Sequence, residues 1–185
     1  MSYAQAEHDR MIAALIMPCV VVAVDLAAAR VRVSDGEWTS AWVRWHDLAA
    51  GKARHWRAPS LGEQGVLFSP SGVAEVGTFV PGLFGSAGAP ADSRDHVQVW
   101  RFDDGGSLVY DWAAHSYSIE LPSGSVTVKV GGVQVLVDDS GVTVQAGQIT
   151  LQGEVAIQGN LAVQGNITST GSIMDTTGNS NHHTH

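Results

Sequence analysis

The chain has 185 residues, a formal charge of −8, 44% hydrophobic and 15% charged residues, and one cysteine, Cys19. That length allows one or two domains, and a lone cysteine excludes an intrachain disulfide framework. The charge is uneven: residues 104–185 hold one base, Lys129, against seven acids, and residues 1–103 hold nine bases against eleven, a poor match to nucleic acid, which needs clustered cations.

Residues 1–18 read as an N-terminal helix. Over 4–17 Met11, Ile12, Leu15 and Ile16 make an apolar face, and Pro18 stops the helix. That face packs either on the chain's own domain or on a neighbouring subunit. No stretch reaches the roughly 20 apolar residues of a membrane-spanning helix. The run Met11–Met17 is short for an export signal, and Glu7 and Asp9 stand where a basic leader would be. Synthesis in the bacterial cytoplasm without a signal peptide is the expectation.

Residues 19–103 read as an OB-fold barrel. Strand-like runs occur at 19–25, 30–34, 37–45, 65–72, 74–85 and 96–102, the last closing the domain. Trp38, Trp42, Trp45 and Trp56, with Arg44, Arg54 and Arg57, could form a stacking groove. Aromatic residues also simply suit strands, and a net charge of −2 over 1–103 opposes a phosphate-tracking surface. Neither nucleic acid nor a small-molecule substrate is expected as a partner.

Residues 104–175 read as a β-helix that one chain cannot complete. Valines at 126, 128, 130, 133, 135, 137, 142 and 144 supply one face of its first part. Glycines then recur every sixth residue at Gly141, Gly147, Gly153, Gly159, Gly165 and Gly171, the mark of a repeat architecture. From 147 to 173 nearly every odd position is Gly or apolar, as in Ile149, Leu151, Val155, Ile157, Leu161, Val163, Ile167 and Ile173. The even positions are mostly polar, as in Gln148, Thr150, Gln152, Gln158, Asn160 and Gln164. Period two over that length is extended β-structure with one buried face. Six repeats make about two rungs of a single-chain solenoid, too few to bury a continuous core. Several interwound chains solve this, and a closed cyclic homotrimer suits the repeat. The glycines share the apolar face, which fits a crowded axis or a sharp bend. The other reading of the repeat is two hairpins of an ordinary sandwich, but the Asn-Gly or Asp-Gly turns of such hairpins are missing from 141–173.

Residues 176–185 abandon the apolar pattern and end in His183-Thr184-His185. In an extended strand His183 and His185 point to the same side. One chain offers two imidazoles, no more than a solvated tail. Three chains on an axis offer six nitrogens, an octahedral set for one transition ion that disfavours tetrahedral zinc. No catalytic constellation stands out. Cys19 has no nearby histidine partner, and the carboxylates are scattered or sit in turns, as Asp103-Asp104 and Asp138-Asp139 do. The chain is expected not to be an enzyme.

The order of parts resembles the central spike of contractile phage tails, the baseplate assembly protein V family, which includes the spikes of R-type pyocins. SPSGVAEVGTFVPGLFGS (69–86) and FDDGGSLVYD (102–111) look like the family's barrel end and fibre entry. The terminal NHHTH resembles an apex that binds iron through six histidines, and on this chain that role falls to His183 and His185. The chain stops at His185, without cap residues. There is also no room between barrel and fibre for the wall-degrading domain of some relatives. The resemblance implies an all-β fold: an N-terminal OB barrel followed by an intertwined, triple-stranded trimeric β-helix with a metal-bound apex. It implies a homotrimer attached to baseplate hub and tail-tube proteins, in a tail particle released from the cell. Sheath contraction would drive it through the target's outer membrane. The rival reading is a trimeric fibre module that binds a cell-surface polysaccharide. The absence of Phe, Trp and Tyr from 125–185 argues for the spike.

Overall fold

The computed structural model describes residues 3–171 and Ile173. Strands dominate the regular structure of the described residues, with one short α-helix and two 3-10 turns. It divides into two compact units, the first ending at Pro122 and the second beginning at Ser123. No described helix is long and apolar enough to cross a membrane.

The first unit opens with α1 (Tyr3–Ala13) and then β1 (Ile16–Asp25), β2 (Arg30–Ser34), β3 (Val43–Trp45), β4 (Gln64–Phe68) and β5 (Thr78–Leu83). These five strands close a barrel in the order β1-β2-β3-β5-β4. Alternation explains the core. Val21, Val31, Val33, Val43, Leu67 and Phe79 point inward and are buried with Cys19. Fully burying each large side chain is worth about 1.5–3 kcal/mol. Gly65 is required by close packing, since a Cβ there would lie 2.5 Å from the Phe79 ring and 2.3 Å from the Val80 carbonyl oxygen.

Three expectations need correcting. The helix does not run to Pro18; it ends at Ala13, and Pro18 lies inside β1 opposite Val66. Pairing with β2 begins only at Val20. Pro18 therefore sits where one side of β1 has no partner strand, and a strand tolerates proline there. Within 37–45 only Val43–Trp45 is a strand, with one bridge from Thr39 to Ser34. Finally, the run at 96–102 does not close the barrel. The parallel pairing of β3 with β5, Arg44 opposite Thr78 and Trp45 opposite Phe79, already does so.

That last run becomes β6 (Val97–Arg101), the first strand of a separate antiparallel sheet with β7 (Ser107–Asp111) and β8 (Ser116–Glu120). Arg94 ties the preceding link to this sheet, donating to Asp92 at 2.8 Å and to Asp111 at 3.1 Å. Asp111 also caps the β7–β8 turn, accepting from the N–H groups of Ala113 and Ala114. The Ala114 N–H leads the contacts that hold this carboxyl below the usual range, against the opposing effect of desolvation.

The second unit contains the meander β9 (Ser125–Val130), β10 (Val133–Asp138) and β11 (Gly141–Gln145). Asp138 closes its second turn by accepting from Ser140 N and Gly141 N. From Ala146 to Gly171 the chain makes no intrachain ladder.

Candidate assembly surface

Two sheets each carry an apolar face that the chain itself leaves largely exposed. On the first, cross-strand register lines up Gln98–Tyr110–Tyr117 and Trp100–Leu108–Ile119. Trp100, Tyr110, Tyr117 and Ile119 are all exposed, although Trp100, Tyr110 and Tyr117 line a shallow cleft with Gln98 and Leu108. Tyr110 and Tyr117 meet as tilted rings 6.5 Å apart. The opposite face carries Arg101, Ser107, Asp111, Ser118 and Glu120 among others, together with Val97, Val99 and Val109, which are half-buried.

The barrel supports this sheet through its long loop. Asp47 pairs with Nδ1 of His55 and accepts from the Arg57 N–H at 3.1 Å. The His55 ring in turn stands edge-on to Trp100, with centroids 6.2 Å apart. The hydrogen bond from His55 is the largest influence holding the Asp47 carboxyl below its ordinary range. Farther along the loop Arg57 forks onto Glu63. Burial alone would push Glu63 up; Arg57 and the Ser60 N–H outweigh it and keep the carboxylate ionised.

On the second sheet the register produces a face made only of valine. Its rows are Val126–Val137–Val142, Val128–Val135–Val144 and Val130–Val133. No residue of 123–171 is buried. The repeat continues the same pattern: Ile149, Leu151, Val155, Ile157, Leu161, Val163 and Ile167 are each 46–70% exposed. An apolar run of this extent, unpaired along its backbone, marks a surface completed by other chains.

The repeat glycines have a backbone reason. Gly153, Gly159 and Gly165 take φ of +129°, +135° and +140°, a region that side-chain-bearing residues rarely enter. Within one chain a Cβ at any of them would meet nothing within 4 Å. Of the two causes the sequence leaves open, the sharp bend is therefore the one visible in the chain's own conformation.

The expected metal ligands His183 and His185 lie outside the described residues. Among the described residues no cluster of three His, Cys, Asp or Glu side chains could hold a metal ion. Cys19 is buried in the barrel core, and burial, with a smaller contribution from Asp35, raises its thiol pKa. The Trp and Arg residues read as one groove are dispersed. Trp45 packs edge-on against Trp56 at 5.4 Å, Arg57 is taken by Glu63, and Arg54 donates to the Gly51 carbonyl. Sequence reasoning missed the aromatic sheet face. Its signal was present in the alternation of 98–102, 108–112 and 117–121, but the strand at its edge was assigned to the barrel.

Comparison with known proteins fits these two surfaces. Residues 17–84 match the family described as the type VI secretion system/phage-baseplate injector OB domain. Residues 98–169 match the Gp138 β-helical trimerization domain, a span that begins at the aromatic sheet and covers the valine meander and most of the repeat. The chain is also 31% identical over 137 residues to the spike protein of Escherichia phage P2, covering 70% of this chain and 64% of that protein. The chain thus spans just under two thirds of that relative's length.

Proposed function

We propose, from the premise that this chain belongs to the phage-baseplate spike family, that it is the central spike of a contractile tail, a homotrimer carried at the baseplate. The observation that carries this reading is the uncovered valine face together with the apolar stripe of the repeat. Three copies winding together would bury both and leave no free backbone edge. Attachment to hub and tail-tube proteins, and passage through the target's outer membrane on sheath contraction, complete the proposed role. The chain's part in it is mechanical and non-catalytic. The particle would be a phage tail or an R-type pyocin.

At the far terminus we assign His183 and His185 of three chains as the holders of one transition-metal ion, with iron the first candidate. The donor chemistry supports this, since imidazole suits Fe, Ni, Cu and Zn. A metal there would cross-link the three chains. Two measurements test the reading. Native mass should give three times 19.5 kDa, and antibody labelling should place the chain at the tip of purified tails. A monomer, or a label along the sheath, would overturn it. Elemental analysis should find about one metal per trimer, lost in the His183→Ala/His185→Ala double variant while the trimer persists. A stable, metal-free trimer from the unaltered chain would remove the apex assignment alone.

A further inference from the structure

The outer wall of the barrel holds an arrangement separate from the two apolar faces. Arg30 and Arg44 are direct cross-strand partners on β2 and β3. Arg32 lies two residues along β2, on the same side. With strands about 4.8 Å apart and about 3.3 Å of rise per residue, the three side chains start within about 8 Å of one another. Like charges placed directly opposite in a sheet destabilise it. Three arginines elsewhere are offset by acids: Arg10 by Glu7, Arg57 by Glu63, Arg94 by Asp92 and Asp111.

These three have no ion-pair partner among the described residues. Each is held by a neutral acceptor instead. Arg30 donates to the Trp42 carbonyl at 3.4 Å, Arg32 to the Ser40 carbonyl at 2.8 Å and Arg44 to the Thr78 hydroxyl at 3.1 Å. One acid, Asp25, stands opposite Arg30 in register, but its carboxylate accepts from the Ala28 N–H at 2.9 Å. The guanidinium groups are thus oriented but not neutralised, and each keeps outward donors in its rigid fork. Beside them the Trp42 side chain is 45% exposed.

We propose that Arg30, Arg32 and Arg44, with Trp42 as an apolar anchor, form a docking surface for an acidic patch on another protein of the tail particle. This rests on the tail-spike reading. Charge complementarity selects the partner: carboxylates accept bidentate pairs from arginine, and Arg and Trp are the residue types that dominate protein interfaces. A nucleic acid is the less suitable occupant, because strand binding needs a longer basic track and the whole chain carries −8.

The test uses full-length chain supplied to particles that lack their own copy. Arg30→Glu/Arg44→Glu should form trimers in normal yield but enter purified particles at least tenfold less often. Trp42→Ala should also lower incorporation. Selection for recovered particles should return Asp or Glu to Lys or Arg changes in a second baseplate protein. Normal incorporation of the charge-reversed chain would overturn the docking surface and leave the spike reading intact. Loss of the trimer in that variant would place the strip between sister copies, and the proposal would also fall. So would tight binding of a 20-nucleotide single strand by the unaltered trimer, lost on charge reversal while incorporation holds. Absence of the unaltered chain from the particles would refute the spike reading itself, and the docking surface with it.

Discussion

Gly159 offers the sharpest perturbation of the fibre. At φ +135° any residue with a Cβ is strained, at a cost of about 1–3 kcal/mol. A trimer carries the change three times, so the penalty on assembly is about 3–9 kcal/mol if each chain keeps its bend. At about 1.4 kcal/mol per tenfold, trimer formation should fall by at least about a hundredfold. The assay is sedimentation or native mass across a dilution series, comparing Gly159→Ala with Asn160→Ala on the adjacent, exposed position. Gly147→Ala supplies the decisive contrast, because Gly147 belongs to the same period but does not take a positive φ. If torsion is the cause, Gly147→Ala should be mild and Gly159→Ala severe. Equal damage from both would refute the torsional argument and favour crowding between chains. Equal tolerance of Gly159→Ala and Asn160→Ala would refute the special role of the glycines altogether.

The barrel should respond to core truncation in the ordinary way. Leu67→Ala, at a fully buried position, should destabilise it by about 2–5 kcal/mol, read as a lower midpoint in denaturant followed by tryptophan fluorescence; a shift under 1 kcal/mol would contradict the assigned core. The loop that backs the aromatic sheet should be acid-sensitive. Asp47 and Glu63 both have folded pKa values below their ordinary ones. Their contribution is therefore present above about pH 4, near the unfolded values, and is lost as pH falls through the folded values. The melting temperature should hold from pH 7 to 5 and drop below 4. Asp47→Asn should flatten part of that drop, and an unchanged profile would dismiss the His55–Asp47 contact as a support.

What was legible in the sequence was whatever depended on period. Alternation of valines over 126–144 gives the faces of β9–β11 without any knowledge of their partners, because a strand fixes which side chains share a side. The six-residue glycine spacing was equally plain, though its cause was not: the same spacing serves a tight axis or a repeated bend, and only the torsions at Gly153, Gly159 and Gly165 separate them. Pairing was the illegible part. The alternation of 97–101 marks a strand but not its neighbour, and β3 joins β5 across more than thirty intervening residues. Arg30 and Arg44 face each other only because the irregular segment 35–42 returns β3 at one particular register. Pro18 misled for a related reason, since a proline that ends a helix and one at the unpaired side of a strand look alike until the partner strand is known.

The two units differ in what holds them, and this has a thermodynamic consequence. The barrel buries Phe79, Leu67 and five further core residues within one chain, so its stability should not depend on protein concentration. The described part of the second unit buries none, and its valine face gains nothing until another chain covers it. Its folding is then the assembly step itself, and stability becomes inseparable from protomer concentration. For a trimer dissociating to three unfolded segments, each tenfold dilution removes about 2.7 kcal/mol per trimer, two factors of ten in mass action. Calorimetry of the full-length chain over a hundredfold range of concentration should therefore show two transitions. One stays fixed and is lowered by Leu67→Ala; the other moves down on dilution and is lowered by Gly159→Ala. A second transition that ignored concentration would mean the repeat folds within one chain, and the assembly surface would have to be abandoned.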